Sequence, residues 1–269
     1  MDTLEILRKI GGAKLHNFSL EASPSPTCIA EIHKRREKTK YACISERGNI
    51  ENGEVPKTMG GILPYIPLNL ERFIIIFSGA SGDGKTLLTS NFIQQYNRNF
   101  SENKIYYVCP TKLKDDISLS KIKHIMKQIF TNDVDESYTE NERWRNSLIV
   151  YDDIDGDENS KLVNKFLNSM IVKGRKYGTS IIFISHDDTH KKFSTIDKEV
   201  SLYITSHHNL RDNRMLSTYM KLSPSKIIRL TMAHDAFICI NKRCNYIITD
   251  TRITKLPTAT EEKDRENEE

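Results

Sequence analysis

The stretch FIIIFSGASGDGKTLLTSNF, residues 73–92, decides the fold of this chain. Its first five residues are isoleucines and phenylalanines, a run typical of a buried strand. A cluster of three glycines follows at once, and the pattern after it is that of a helix. A strand that ends in a glycine-rich turn and continues into a helix is the setting in which proteins bind phosphate groups.

The glycine cluster matches the pattern G-x-x-x-x-G-K-[ST] in full. Phosphates need dense backbone N–H donors at close range, and glycine lets the main chain curl tightly without a side chain in the way. Lys85 can reach the β- and γ-phosphates of a nucleotide, and the Thr86 hydroxyl can ligate Mg²⁺. A plain glycine turn between a strand and a helix is the alternative. The predicted ATP-binding residues are Gly79, Ala80, Ser81, Gly82, Asp83, Gly84, Lys85 and Thr86.

A second strand-like run, SLIVYDD at residues 147–153, ends in two acids. A buried parallel strand that ends in an acid is the usual place for a carboxylate that holds Mg²⁺, and a second acid can polarise an attacking water. We therefore assign Asp152 to the metal and Asp153 to the water. The acids that follow, up to residue 158, also fit a solvated loop, which is the alternative for both residues.

A third block, KGRKYGTSIIFISHDD at residues 173–188, has an arginine before a strand and a histidine after it. Strand ends meet at the ligand crevice of a doubly wound sheet, so His186 can reach a γ-phosphate or a water, with Ser185 as its rival in that role. Arg175 can act as an arginine finger in the site of a neighbouring subunit, where it would stabilise transition-state charge. A loop histidine without a role and a solvated arginine are the alternatives.

These three blocks resemble those of the genome-packaging ATPases of large eukaryotic DNA viruses, including the poxvirus type, in the FtsK–HerA superfamily of P-loop NTPases. The resemblance covers roughly residues 64–251 and includes YYVCPT at residues 106–111. The superfamily commonly has a glutamine where His186 stands, and bacterial members have a glutamate where Asp153 stands. The resemblance implies a ring, pentameric or hexameric, that hydrolyses Mg²⁺-ATP at its subunit interfaces and translocates double-stranded viral DNA into a capsid. Capsid or virion assembly proteins are the further partners that it implies.

Strand-like runs alternate with longer amphipathic stretches, which indicates a mostly parallel sheet covered by helices on both faces. Together with the resemblance, this pattern predicts an α/β P-loop NTPase of the ASCE or RecA-like kind. We expect a three-layer core, a strand inserted between the two nucleotide-site strands, and a C-terminal β-hairpin. The predicted strands are 73–78, 104–109, 147–153, 180–185 and 200–205, with the hairpin at 236–251.

Three regions are predicted along the chain. Residues 1–60 are expected to be an N-terminal extension of unknown role, residues 61–256 the ATPase domain, and residues 257–269 an acidic disordered tail. Within the extension, the basic cluster at residues 33–40 fits either contacts with nucleic-acid phosphates or an exposed charged helix.

Charge and cysteine content narrow the function classes. The net charge of the 269 residues is +4, and the last nine residues hold six acids and two bases, so the body of the chain is more basic than the whole. A basic body is compatible with nucleic acid. Five cysteines without C-x-x-C spacing argue against a disulfide framework or a zinc ribbon. Cys239 and Cys244 flank a predicted turn and are expected to be ordinary strand cysteines, with a redox pair as the alternative.

The sequence shows no apolar run long enough to span a bilayer and no signal-peptide pattern, so we expect the host cytoplasm at a viral assembly site, or the virion. One alternative function is another nucleic-acid motor, a helicase or a partition-type ATPase. A second is a nucleotide-binding virion structural protein without turnover, against which the four residues Lys85, Thr86, Asp152 and Asp153 argue. A small-molecule phosphotransferase would need an acceptor pocket and an arginine-rich lid, and the sequence shows neither.

Overall fold

The computed structural model describes most of the chain between residues 18 and 255. The described residues are 18–24, 28–33, 38–44, 62–66, 72–112, 117–154, 160–186, 199–206, 216, 223, 225, 227–228, 231, 235–242, 244 and 246–255. The predicted acidic tail and the acids at 155–158 lie outside them. No helix in the described part of the chain combines the length and the apolar character needed to cross a membrane.

The strands are numbered in chain order. They are β1 (Phe18–Glu21), β2 (Cys28–Ile32), β3 (Lys40–Ile44), β4 (Ile62–Pro64), β5 (Ile74–Ser78), β6 (Lys104–Cys109), β7 (Lys127–Phe130), β8 (Ser147–Asp152), β9 (Ser180–Ser185), β10 (Leu202–Thr205), β11 (Ile238–Asn241), β12 (Tyr246–Thr249) and β13 (Ile253–Lys255). Two α-helices have described bounds, α1 (Lys85–Asn99) and α2 (Ser160–Lys173).

The main sheet has the strand order β13-β12-β11-β10-β5-β9-β8-β6-β7. The strands from β10 to β7 in this order are parallel, and β11, β12 and β13 extend the sheet antiparallel. All five predicted strands and the terminal hairpin are present. β9 lies between β5 and β8, which confirms the inserted strand and the predicted α/β P-loop NTPase fold.

β5 shows how the sequence produces three layers. Ile74 and Ile76 pack into the hydrophobic cluster that contains α2, whereas Ile75 and Phe77 pack into the cluster that contains α1. Successive strand residues point to opposite faces of a sheet, so an unbroken apolar run is stable only where both faces are covered. The two helices supply that cover, one on each face.

The segment between β6 and β8 departs from the predicted alternation of strands and helices. β7 was not predicted, because its four residues mix exposed and buried positions and are too few to show a period. The described residues 117–146 form β7 and short 3₁₀ turns but no α-helix. An aromatic group covers the sheet here instead: Trp144 is fully buried, and its ring centroid lies 5.0 Å from that of Phe166 on α2.

A second sheet, antiparallel and of order β1-β3-β2-β4, precedes the main one. The boundary predicted at residue 60 falls inside this sheet, because β4 pairs with β2. The backbone N–H of Ile62 donates to the carbonyl of Asp250 at 3.0 Å, which joins the two sheets. Lys40 begins β3, so the charged helix considered for residues 33–40 does not extend through its last residue.

Cys28 and Cys43 form a disulfide between β2 and β3, which corrects the expectation drawn from cysteine spacing. The two residues are direct partners in the antiparallel register, and their Cα atoms are 3.8 Å apart. Linear spacing carried no signal for this pair, because only the strand register brings the two side chains together. Cys109, Cys239 and Cys244 are not in a disulfide.

A buried carboxylate holds the second sheet to α1. Glu31 on β2 is 2% exposed and accepts hydrogen bonds from Arg98 at 2.5 Å and from Gln95 at 3.5 Å. Gln95 also donates to the carbonyl oxygen of Pro64 at 3.0 Å. The second sheet is therefore attached to the helix that begins at the glycine-rich loop.

We expect Arg98→Ala to lower the free energy of unfolding by about 2 kcal/mol, because the buried carboxylate of Glu31 loses its arginine and keeps only its contacts with Gln95 and His33. Lys165→Ala is the control: it also breaks an ion pair, with Glu136 at 2.9 Å, but both partners are exposed. Its unfolding midpoint should stay close to that of the wild type. Chemical denaturation measures both variants, and equal midpoints for the two would contradict the assigned role of Glu31.

Candidate nucleotide-binding site

The glycine-rich loop follows β5 and is tied to the neighbouring strand. The backbone N–H of Gly79 donates to the carbonyl of Ser185, the last residue of β9, at 3.3 Å. Gly82 and Gly84 have φ angles of 90° and 76°, in the left-handed region that glycine adopts at little cost. A Cβ atom at either position would meet no heavy atom within 4 Å. Backbone conformation rather than crowding therefore requires glycine here.

α1 begins with a first turn that no side chain caps. Gly84 is the N-cap residue and has no side chain to accept a hydrogen bond, and the first turn contains no acidic residue. The N–H of Leu88 donates to the carbonyl of Gly84 at 3.0 Å as the helix starts. The first N–H groups and the positive end of the helix dipole thus face the loop, an arrangement that favours anions. Thr86 is half-buried in this turn.

Lys85 is the buried cation of the site. Its side chain is 7% exposed, and Nζ donates to the carbonyl oxygens of Gly79 and Ala80, both at 2.7 Å. Nζ also lies 3.3 Å from Nδ1 of His186, at the end of β9. The ammonium group thus lies beneath the loop that would hold the phosphates.

The charges around Lys85 act in opposite directions. Burial lowers the pKa of Lys85 from its usual value, and the negative charges of Asp83, Asp152 and Asp153 raise it. The two acids at the end of β8 are therefore close enough to interact electrostatically with the ammonium group. The end of β8 and the loop after β5 line one crevice, as predicted for strands whose carboxyl ends meet.

Asp152 and Asp153 are adjacent but have different partners. Oδ2 of Asp152 accepts a hydrogen bond from the hydroxyl of Tyr107 on β6 at 2.6 Å. Asp153 has a φ angle of 53°, a left-handed conformation that aspartate and asparagine tolerate better than most residues. Its carboxylate is 58% exposed, and Oδ1 lies 3.9 Å from Nε2 of His186. The backbone turn between the two residues thus separates their side chains.

His186 lies between the lysine and the second acid. A charged lysine has only donors, so in the neutral ring Nδ1 accepts from Lys85 and the ring proton is on Nε2. This assignment directs an N–H donor toward the side of Asp153. A glutamine side chain also offers one acceptor and one donor at its tip. The imidazole therefore offers the same pair of hydrogen-bonding functions as a glutamine side chain.

Arg175 lies at the other edge of the sheet. It is exposed, in the 3₁₀ turn that precedes β9, whereas His186 follows the last residue of that strand. Six strand residues span about 20 Å. The structure therefore brings Lys85, Asp153 and His186 together and leaves Arg175 outside this crevice.

A buried arginine anchors the turn that carries Arg175. Arg72 donates to the carbonyls of Met170 and Ile171 at the end of α2 and to that of Thr179, each at 2.9 Å. Burial lowers the pKa of Arg72, and the nearby positive charge of Arg175 lowers it further, while Glu199 acts in the opposite direction. The two guanidinium groups are therefore close enough to repel each other electrostatically.

The residues predicted for Mg²⁺ offer suitable donors. The hydroxyl of Thr86 and the carboxylate of Asp152 are hard oxygen ligands, the type that Mg²⁺ prefers. Burial and the charge of Asp152 raise the pKa of the thiol of Cys109, which ends β6, to about 12. The donor set thus fits a magnesium ion rather than a soft metal.

Sequence reasoning missed Tyr107 and Arg72. Tyr107 lies in an apolar strand whose residues looked like core alone, and only the pairing of β6 with β8 places its hydroxyl against Asp152. A tyrosine two residues before the end of a strand beside an acid-ended strand is the signal that would have found it. Arg72 stands next to a strand and gave no signal, because its acceptors are carbonyls about 100 residues later in the chain.

The chain is similar in sequence to a virophage protein and in fold to two solved structures. No family model matches the chain. A Sputnik virophage protein, described as uncharacterized protein V3, is 27% identical over 174 residues, which are 63% of this chain and 67% of that protein.

Two solved structures are similar in fold. For the DNA-packaging ATPase B204 from Sulfolobus turreted icosahedral virus, the TM-score is 0.46 and the identity 13%, over 71% of this chain and 100% of that one. For the conjugation coupling protein TcpA of pCW3, in its monomer form with ATPγS, the TM-score is 0.49 and the identity 13%, over 89% of this chain and 77% of that one. The strand order and phosphate loop of this chain themselves define a P-loop NTPase fold.

We expect His186→Gln to keep most of the ATPase rate and His186→Ala to lose about 10²-fold, since glutamine retains an acceptor toward Lys85 and a donor toward the reacting groups. Steady-state ATPase assays measure the two rates, and nucleotide affinity serves as the control for the intact loop. Wild-type rates for both variants would show that His186 has no catalytic role.

Proposed function

We propose that this chain is a Mg²⁺-dependent ATPase of the P-loop class that translocates double-stranded DNA into a viral capsid. The observation that carries the ATPase part is the convergence of a buried lysine, an uncapped helix start and two carboxylates with separate partners at one sheet edge. Such a set of groups supplies positioning and charge stabilisation, which is most of what phosphoryl transfer needs.

Each side chain has a role that its position supports. Lys85 and the first N–H groups of α1 bind the phosphate charge, and Lys85 would exchange its loop carbonyls for phosphate oxygens. Thr86 and Asp152 hold Mg²⁺, which when bound neutralises phosphate charge. Asp153, exposed and beside the N–H of His186, polarises the attacking water.

Arg175 completes the site of a neighbouring subunit in this proposal. It is exposed at the amino end of β9, and within the described residues it makes no ion pair. Three large apolar side chains are exposed in the described part of the chain, and two of them flank the proposed contact. Val172, 64% exposed, precedes Arg175 by three residues, and Leu87, 58% exposed, lies in the first turn of α1. In a ring, the sheet edge that carries Arg175 in one subunit would meet the edge that carries the phosphate loop in the next, and this contact would cover both apolar side chains.

The DNA part of the proposal is supported by the resemblance of the three sequence blocks and by the positive charge of the body of the chain. Relatedness to a virophage protein supports a viral setting. A capsid or virion assembly protein would be the second partner, and a pentameric or hexameric ring the working form.

We expect ATP hydrolysis that requires Mg²⁺ and is stimulated by duplex DNA, and DNA binding that falls steeply with salt. A motor must hold backbone phosphates of any sequence. For a protein that contacts six or more phosphates, raising the salt concentration from about 50 to about 200 mM lowers DNA affinity by about 10³-fold. ATPase assays with and without duplex DNA, and a salt titration of DNA affinity, test this proposal.

Asp153→Asn is the matched control for the hydrolysis assay. Asparagine suits the left-handed backbone at this position, so the fold and nucleotide binding should be retained, while hydrolysis falls by about 10²-fold or more.

An affinity for DNA that does not change with salt concentration would overturn the proposal that the chain binds nucleic acid. Unwinding of a duplex during hydrolysis would point to a helicase instead.

A shared active site predicts complementation between two inactive variants. Lys85→Ala has a dead nucleotide site but an intact Arg175, and Arg175→Ala has the reverse. Alone, the first should not bind ATP, and the second should bind it while hydrolysis drops about 10³-fold. Mixed together, the two should recover part of the activity at the interfaces that pair an intact loop with an intact arginine.

Titration of one variant against the other measures the recovery, and Lys176→Ala, at an exposed lysine next to Arg175, replaces Arg175→Ala as the control. Lys176→Ala alone should hydrolyse ATP at nearly the wild-type rate. No recovery at any ratio of the two inactive variants, or full activity from a demonstrated monomer, would contradict the shared site.

A further inference from the structure

We infer that Tyr107 is a positioning residue for Mg²⁺: its hydroxyl holds the carboxylate of Asp152 in the orientation in which it ligates the ion. The inference rests on the proposed function, since it assigns a role in the same site to a residue on a neighbouring strand. It adds a residue outside both nucleotide-binding motifs to the metal site.

The geometry of two paired strands produces this contact. Tyr107 on β6 is the direct register partner of Val150 on β8, so Asp152 lies two residues further toward the carboxyl edge. Residues two apart on a strand point to the same face, so the side chains of Tyr107 and Asp152 lie on one face of the sheet. The hydroxyl of Tyr107 donates to Oδ2 of Asp152 at 2.6 Å.

The tyrosine can impose an orientation because its ring is packed in the core. Its side chain is completely buried and packs in the cluster that contains α1. The hydroxyl is therefore presented to Asp152 from a fixed position, and a short hydrogen bond to an ionised carboxylate is among the stronger kinds in proteins. Mutation of a residue that holds a metal ligand in this way typically lowers metal affinity or activity by about 10- to 100-fold.

The chain provides a matched control in Tyr151, which is next to Asp152 in sequence. Its ring is fully buried and packs 5.4 Å from the ring centroid of Phe166, on the other face of the sheet. Among the described residues, its hydroxyl has no hydrogen-bond partner. Tyr107→Phe and Tyr151→Phe thus each remove one buried hydroxyl from neighbouring strands, and only the first removes a contact with Asp152.

The test measures the affinity of each full-length variant for a fluorescent ATP analogue, without divalent ions and across a Mg²⁺ titration. For Tyr107→Phe we expect unchanged metal-free affinity and a Mg²⁺ concentration for half-maximal binding raised by about tenfold or more. The ATPase kcat at saturating Mg²⁺ should stay within about threefold of the wild-type value, because the ligand itself remains. Tyr151→Phe should match the wild type in all three measurements.

Binding of Mn²⁺, followed by its paramagnetic resonance signal, gives a second readout without hydrolysis. In an Asp152→Asn background, adding Tyr107→Phe should change Mn²⁺ affinity no further, because the two residues act through one contact. An effect of Tyr107→Phe that is as large in that background as in the wild type would overturn the inference.

Two other outcomes would also overturn it. A folded Tyr107→Phe variant with wild-type Mg²⁺ dependence would show that the contact does not position the ligand, while the ATPase function would stand. Loss of metal-free nucleotide binding in the same variant would show a structural role. Wild-type protein that shows neither Mg²⁺-dependent binding nor hydrolysis would refute the proposed function itself, and the inference with it.

Discussion

The parallel pairing of β5, β9 and β8 is the constraint on which the rest of the structure depends. Parallel strands end at the same edge of a sheet, so the loop after β5, the acids that end β8 and the histidine after β9 converge although about 100 residues separate the first from the last. Because β8 and β9 are parallel, the chain must also return from the carboxyl end of β8 to the amino end of β9. Arg175 lies there, away from its own crevice, and a role in catalysis therefore requires another subunit.

Each charged side chain of the crevice has its own specific contacts. Lys85 has two loop carbonyls and His186, Asp152 has Tyr107, and Asp153 faces His186. Adjacent identical acids have different surroundings in this way, because one carboxylate is held by a buried tyrosine and the other is exposed to solvent. The left-handed backbone at Asp153 produces that separation, and aspartate is one of the few residue types that accept it without a large cost.

The second sheet shows where pattern reading fails. Its strands have three to five residues each, and their pairing involves residues on both sides of an expected domain boundary. The role of Glu31 depends on a helix about 65 residues later in the chain, since Arg98 provides its cation. The disulfide between Cys28 and Cys43 has the same origin, because strand register alone makes the two residues partners. Local composition contains none of this information.

By itself, the sequence determined the main sheet, its five central strand segments and the C-terminal hairpin, because long apolar runs bounded by glycine or acid are stable in few environments. It also predicted the phosphate loop and the two acids of the candidate site, because phosphate binding requires closely spaced backbone N–H groups and Mg²⁺ prefers oxygen ligands. Tertiary structure alone decided β7, the N-terminal sheet, the contact of Tyr107 with Asp152 and the distance of Arg175 from the crevice. Each of these depends on which strands become neighbours, and that choice is made by packing over the whole chain rather than by any segment of it.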